Sequence, residues 1–132
     1  MEIIYEFVQK IDASEVADVF KKSGITRPVD DLDRIQRMVD NADIIVTARN
    51  NGQLVGITRA ITDYSYCCYL SDLAVDAEYQ RIGIGKELVR IVQEKLGEEV
   101  TLLLVAAPNA IEYYPRIGFE KLDKAFSIRR KR

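Results

Sequence analysis

The chain has 132 residues, 48% hydrophobic and 30% charged, a balance that suits one folded domain over residues 1–132 and excludes a disordered chain. Nineteen Lys and Arg against 21 Asp and Glu leave a formal net charge of −2, so no global field recruits nucleic acid. Histidine is missing altogether, which removes Ser-His-Asp and Cys-His catalysis and every histidine-based metal site, so no metal is expected.

The longest apolar runs are short and strand-like, and the N-terminus carries Glu2 and Glu6 without a cleavable apolar core. Neither a membrane partner nor a secretory signal is expected. Cys67 and Cys68 are adjacent, and neighbours on a strand point to opposite faces, so they cannot bridge. They are expected as free, buried strand thiols in a reducing cytoplasm.

Ile3 to Val8 reads as a first strand. Asp12 and Glu15 have capping-box spacing ahead of Val16, Val19 and Phe20, which make one helical face ending at Gly24. A loop with Arg27 and Pro28 follows; Arg27 reads first as a solvated loop residue, with binding of an acidic group of a substrate as the alternative. A second helix starts near Asp30–Asp31, with Leu32, Ile35 and Val39 at helical spacing. Ile44, Val46 and Ala48 then alternate as a strand. Asn50-Asn51-Gly52 tolerates positive φ, and Leu54 to Ile61 resumes strand character, which together predict a hairpin.

Cys67 to Val75 is a further strand, followed by a Gly-containing loop and a helix presenting Leu88, Ile91, Val92 and Leu96 before Gly97. Val100 to Ala106 lacks polar alternation and reads as a buried strand. A short helix is expected from Pro108 to a stop before Gly118, where Pro115 withholds a hydrogen bond, and Phe119 to Ile128 reads as a last strand. That order, βααβββαβαβ, belongs to an α/β layer structure.

The chemistry concentrates in Leu73-Ala74-Val75-Asp76-Ala77-Glu78-Tyr79-Gln80-Arg81-Ile82-Gly83-Ile84-Gly85-Lys86. It passes from a strand through a tight loop into a helix. Gly83 and Gly85 allow close backbone approach, and the helix start supplies unpaired N–H groups at a positive dipole end. These are the parts of a phosphate cradle. A Rossmann fingerprint needs a third glycine where Leu88 stands, and a P-loop needs Ser or Thr where Glu87 stands, so the ligand is a different phosphate compound.

Gln80, Gly83 and Gly85 match the Gln/Arg-x-x-Gly-x-Gly/Ala pattern, and Tyr114, Gly118 and Phe119 match a downstream Tyr-x-x-x-Gly-Phe signature. With both motifs on the right elements, the chain resembles the GNAT N-acetyltransferases over nearly its whole length. The resemblance implies a mixed, mostly antiparallel sheet with a central splayed parallel strand pair and helices on both faces. It implies acetyl-coenzyme A as co-substrate and an unidentified amine acceptor on a small molecule, peptide or protein. Gln80, Arg81, Ile82, Gly83, Ile84, Gly85 and Lys86 would hold the pyrophosphate. Leu73, Ala74 and Val75 would run beside the pantetheine arm, with Asn109 and Tyr114 from the second motif. Ile82 and Arg81 depart from the residues many relatives carry, and Pro115 replaces a common acidic residue.

Acetyl transfer to an amine requires alignment, a stabilised oxyanion and a proton for the leaving thiolate. A strand N–H serves the oxyanion if strand 67–75 bulges or splays. Tyr114 suits the acid role, because a phenol is protonated at neutral pH, and the spacing to Gly118 selects it over Tyr113. Asp72 is the first candidate for the base, with Asp63 and Glu112 behind it. The alternative from another class is a non-catalytic acyl-coenzyme A binding module. A homodimer is expected if the last strand lies at an exposed edge.

Overall fold

Aliphatic side chains on the two faces of a sheet give this chain two separate cores. The computed structural model describes residues 1–132. Five strands form one sheet in the order β1-β2-β3-β4-β5: β1 (Ile3–Phe7), β2 (Ile44–Asn50), β3 (Gln53–Thr62), β4 (Cys67–Val75) and β5 (Thr101–Leu103). β1 to β4 pair antiparallel, and β4 pairs with β5 in parallel. On one face α1 (Ala13–Ser23) and α2 (Leu32–Asp40) enclose Val16, Phe20, Ile35 and Ile57. On the other, α3 (Ile84–Leu96) packs Leu88 and Val92 against Val46 and Val55.

Local chemistry fixes the ends of these elements. The Asp12 carboxylate caps α1 by accepting from the Ser14 N–H at 2.7 Å. Glu15 does not complete the expected capping box; it takes Arg49 in a two-pronged ion pair at 2.7 and 2.9 Å, tying α1 to β2. Asp31 caps α2 by accepting from the Arg34 N–H at 3.0 Å. The predicted hairpin turns on Asn51 (φ 50°) and Gly52 (φ 81°), two successive left-handed residues as a two-residue turn requires.

One irregularity sets the site. Along β3 and β4, Ala60 faces Leu70 and Arg59 faces Asp72, so Ser71 is an extra residue without a partner. This bulge reverses the facing of the strand. Cys68 and Leu70 point into the α3 core, whereas Asp72 and Ala74 point away from it and Ala74 joins the α1/α2 core. An unbroken strand would put all four on one face.

The C-terminal quarter departs from the sequence reading. β5 has only three residues, two of them exposed, where a buried strand over Val100 to Ala106 was expected. Phe119 to Ile128 forms no strand; Leu122, Phe126 and Ile128 share the alternation expected of one face, but all three stand exposed and no neighbouring strand pairs with them. The parallel pair therefore closes the sheet at its edge and is not flanked on both sides. The reason for expecting two copies to pair through that last strand lapses with it, and the edges of the sheet are β1 and β5.

The expected helix from Pro108 divides into a 3₁₀ turn (Pro108–Ala110) and α4 (Tyr113–Arg116). Pro115 does not stop α4, because it lies in the first turn, where no N–H is needed. Cys67 is exposed and Cys68 buried, both free, so only one of the two packs as expected. No helix is long and apolar enough to cross a membrane.

Candidate functional site

Pairing between β4 and β5 covers only Cys67 to Tyr69 against Thr101 to Leu103. Beyond that point the two segments part, and the second half of β4 has an open edge. The Asp76 N–H donates to the Val55 carbonyl at 2.8 Å, and the Asp72 carbonyl accepts from the Thr58 hydroxyl at 2.7 Å, so both residues direct main-chain groups at β3. Strand alternation then turns the main-chain groups of Leu73 and Val75 toward the open edge. The Val75 carbonyl accepts there from Gln80 Nε2 at 2.8 Å, which ties the following loop to the strand.

That loop leads to the start of α3. The Glu87 N–H is the first in the helix to bond back, to the Gly83 carbonyl at 3.0 Å, and no side chain caps the end. None of the main-chain N–H groups of residues 81–86 donates to any acceptor in the protein. Arg81 (φ 71°) and Gly83 (φ 92°) are both left-handed, which turns successive amides into one concavity. Arg81 adopts this conformation without being glycine, at a backbone cost of about 1–2 kcal/mol. Ile84 is buried and anchors the helix in the core, while Ile82 and Lys86 stand exposed beside the amides.

A side chain at Gly85 would have its Cβ 2.8 Å from the Tyr113 hydroxyl. Tyr113 thus lies over the first turn of α3 and forms a wall of the concavity. Nothing in the tyrosine spacing revealed this, and Tyr113 is no bystander. Tyr114 meets Phe119 edge-on at 5.4 Å and Tyr113 at 5.3 Å. Its hydroxyl has no hydrogen-bond partner in the protein. Burial pushes the Tyr114 phenol above its ordinary value and Tyr113 adds to this, while the positive charge of Arg27 opposes it. Asn109 stands exposed on the 3₁₀ turn nearby in sequence. Tyr114 also borders a cavity of about 560 Å³ on the far side of β5, lined by Leu96, Leu102, Leu104 and Phe119.

Asp72 has a different setting from the one expected of a base. Its side chain is 0% exposed; one oxygen accepts from Arg27 Nε and the other from Arg59 Nε, each at 2.5 Å. No oxygen of Asp72 is open to an incoming amine. Arg59 also donates to the Ser71 hydroxyl at 2.9 Å, and Arg27 to the Ser71 carbonyl at 2.7 Å, so both arginines grip the bulge. Arg27 is therefore no solvated loop residue. The sequence signal for this cluster was Arg59, the one charged residue in β3, and the structure sets it directly opposite Asp72. Asp63 is likewise engaged, its carboxylate accepting from the N–H groups of Ser65, Tyr66 and Cys67 at the β3–β4 turn. Glu112 is exposed ahead of α4.

A splayed parallel pair, a bulge beside it and an uncapped helix start with free amides are now together on one edge. The model of the acetyltransferase (GNAT) domain matches residues 13–129. The chain belongs to the GNAT acetyltransferase family. This GNAT chain is 28% identical over 96 residues to an uncharacterized N-acetyltransferase, ycf52, of Pyropia yezoensis, covering 68% of the chain and 55% of that protein. It spans about half the length of that curated relative. Among solved structures, a GNAT family acetyltransferase of Streptococcus pneumoniae superposes with a TM-score of 0.79 at 22% identity, covering 99% of each chain. The aminoglycoside N-acetyltransferase AAC(6')-Iy, solved in complex with CoA, superposes with a TM-score of 0.74 at 17% identity, covering 98% of the GNAT chain and 95% of its own. These two likenesses bear on the fold.

Proposed function

We propose that the protein is an acetyl-coenzyme A-dependent N-acetyltransferase acting on a primary amine of a small molecule, peptide or protein. The observation that carries this reading is the run of unbonded amides at residues 81–86, facing the gap where β4 has lost its neighbour. Anions are favoured at such a helix start, and the pyrophosphate of the co-substrate supplies two. Gln80 holds the loop to the strand, Gly83 keeps the approach clear, Gly85 makes room for the Tyr113 hydroxyl, and Lys86 with Arg81 adds positive charge. The arm of the co-substrate then runs along Leu73, Ala74 and Val75, with Asn109 on the opposite wall and the thioester near the bulge.

A neutral amine attacks the thioester carbonyl, forming the C–N bond while the carbonyl oxygen takes the negative charge. The Leu73 N–H on the open edge is the donor we assign to that oxygen. The C–S bond then breaks, and the Tyr114 hydroxyl gives its proton to the departing thiolate. Because burial raises its pKa, the phenol is protonated throughout the neutral range. Asp72 is closed off and Asp63 is committed to its turn, so the proton lost by the amine leaves through water, with the exposed Glu112 the one candidate carboxylate still free to receive it. Asp72 becomes a positioning residue that holds the bulge.

Incubation with acetyl-coenzyme A and a panel of primary amines, read as free coenzyme A released, tests the reading. Release that depends on both substrates is expected, together with a rise in Tm on adding acetyl-coenzyme A alone. A Tm rise without release from any amine would turn the assignment to a non-catalytic acyl-coenzyme A binding module. No rise at millimolar acetyl-coenzyme A would contradict both.

A further inference from the structure

The Arg27–Asp72–Arg59 cluster carries more positive charge than its own carboxylate can neutralise. Asp72 supplies one negative charge against two guanidiniums, which leaves one positive charge over. No other carboxylate lies within 4.0 Å of either arginine. Arg59, whose side chain is 9% exposed, suffices to balance Asp72 within the core. Arg27 is the surplus cation, and at 27% exposed it is the one that solvent reaches.

Its position is fixed from three sides. Nε donates to Asp72, one terminal nitrogen to the Ser71 carbonyl at 2.7 Å, and the other to the Thr26 carbonyl at 2.6 Å. A guanidinium has five N–H donors, so these three bonds leave one N–H on each terminal nitrogen. Two such donors from one rigid plane match the two oxygens of a carboxylate. The arginine comes from the loop between α1 and α2 and meets the open half of β4 at the bulge, next to Leu73. Its positive charge also acts on the Tyr114 phenol, the group assigned above to the departing thiolate.

From this geometry we infer that Arg27 is an anion subsite for the acceptor, and that the preferred acceptor is a primary amine carrying a carboxylate. The inference rests on the transferase reading above and adds its substrate class. A held, largely desolvated cation that shares its one counter-ion with Arg59 favours an anionic partner and disfavours a cationic one. A diamine or an aminoglycoside-like polycation is therefore a poor acceptor.

The test uses acid–amide pairs: β-alanine, lysine and glutamate, each against the amide that removes a carboxylate. Wild-type protein is expected to acetylate at least one acid with a KM about 10–100-fold below that of its amide, the range of a charge-assisted hydrogen bond. Arg27→Gln should raise KM for the acid by that factor, with a much smaller effect on kcat and on the amide. Arg27→Lys, which keeps the charge but loses the fork, should fall between the two. Acetyl-coenzyme A affinity by calorimetry and Tm of each variant guard against a general loss of structure. Equal KM for acid and amide in the wild type overturns the subsite, as does acetylation of neither while acetyl-coenzyme A still binds. A wild type that fails to bind acetyl-coenzyme A instead overturns the transferase reading and the subsite with it.

Discussion

Two polar regions flank the second half of β4, and they are built on opposite terms. At Asp72 every hydrogen bond is made: the carboxylate is sealed from water and each oxygen is taken by a guanidinium. At residues 81–86 none is made: the amides face outward and nothing in the protein accepts from them. The difference separates scaffold from ligand site. A buried charge stays only when its partners are inside the fold, whereas an unfilled row of donors is stable only where water or a ligand can reach it.

The largest effect that would sharpen this contrast is kinetic. Tyr114→Phe removes a hydroxyl that has no partner in the protein and hardly any volume. Assayed with a responsive amine, kcat should fall by about 10²–10⁴-fold while acetyl-coenzyme A affinity holds. Full kcat with chemistry rate-limiting would make Tyr114 a packing residue on Phe119.

Next come two substitutions that should differ in what they damage most. Asp72→Ala leaves two arginines facing each other at the bulge and should cost about 3–5 kcal/mol of stability in urea unfolding. Gly83→Val, at φ 92°, should cost about 1–3 kcal/mol and remove acetyl-coenzyme A binding. If Asp72→Ala unfolds no more easily than Gly83→Val, the sealed network is not the scaffold described.

Much of this was legible in the sequence. Helical and alternating periods over residues 3–96 placed the strands and helices, and Asn51-Gly52 placed the hairpin, because burial on a defined face writes a period into the chain. All the fully buried side chains lie at or before Leu96. After it that signal fades: β5 is an edge with one half-buried residue, and beyond Phe119, which packs against the α3 core, residues 120–128 mix apolar and charged side chains that all stand exposed. The cradle was readable because left-handed turns need glycine. The arginine cluster was not, because Arg27 and Asp72 are 45 residues apart and meet only through the bulge at Ser71.

A smaller effect concerns Asp63, whose pKa is held below the ordinary carboxylate value by the N–H groups of Ser65, Tyr66 and Cys67. A lowered pKa in the fold adds stability that is present above the unfolded value and lost as pH falls through the folded one. Between about pH 5 and pH 3 the Tm of wild type should therefore drop more steeply than that of Asp63→Asn. Parallel curves would show that the turn does not depend on the charge.

The central claim is that the free amides of residues 81–86 are the binding site of the co-substrate. Titrating ¹⁵N-labelled protein with coenzyme A and following the amide resonances tests it directly. The account predicts the largest shifts at Arg81 to Lys86, with further shifts at Leu73 and Val75 on the open edge of β4. Shifts confined to other regions, or none at millimolar coenzyme A, would contradict it.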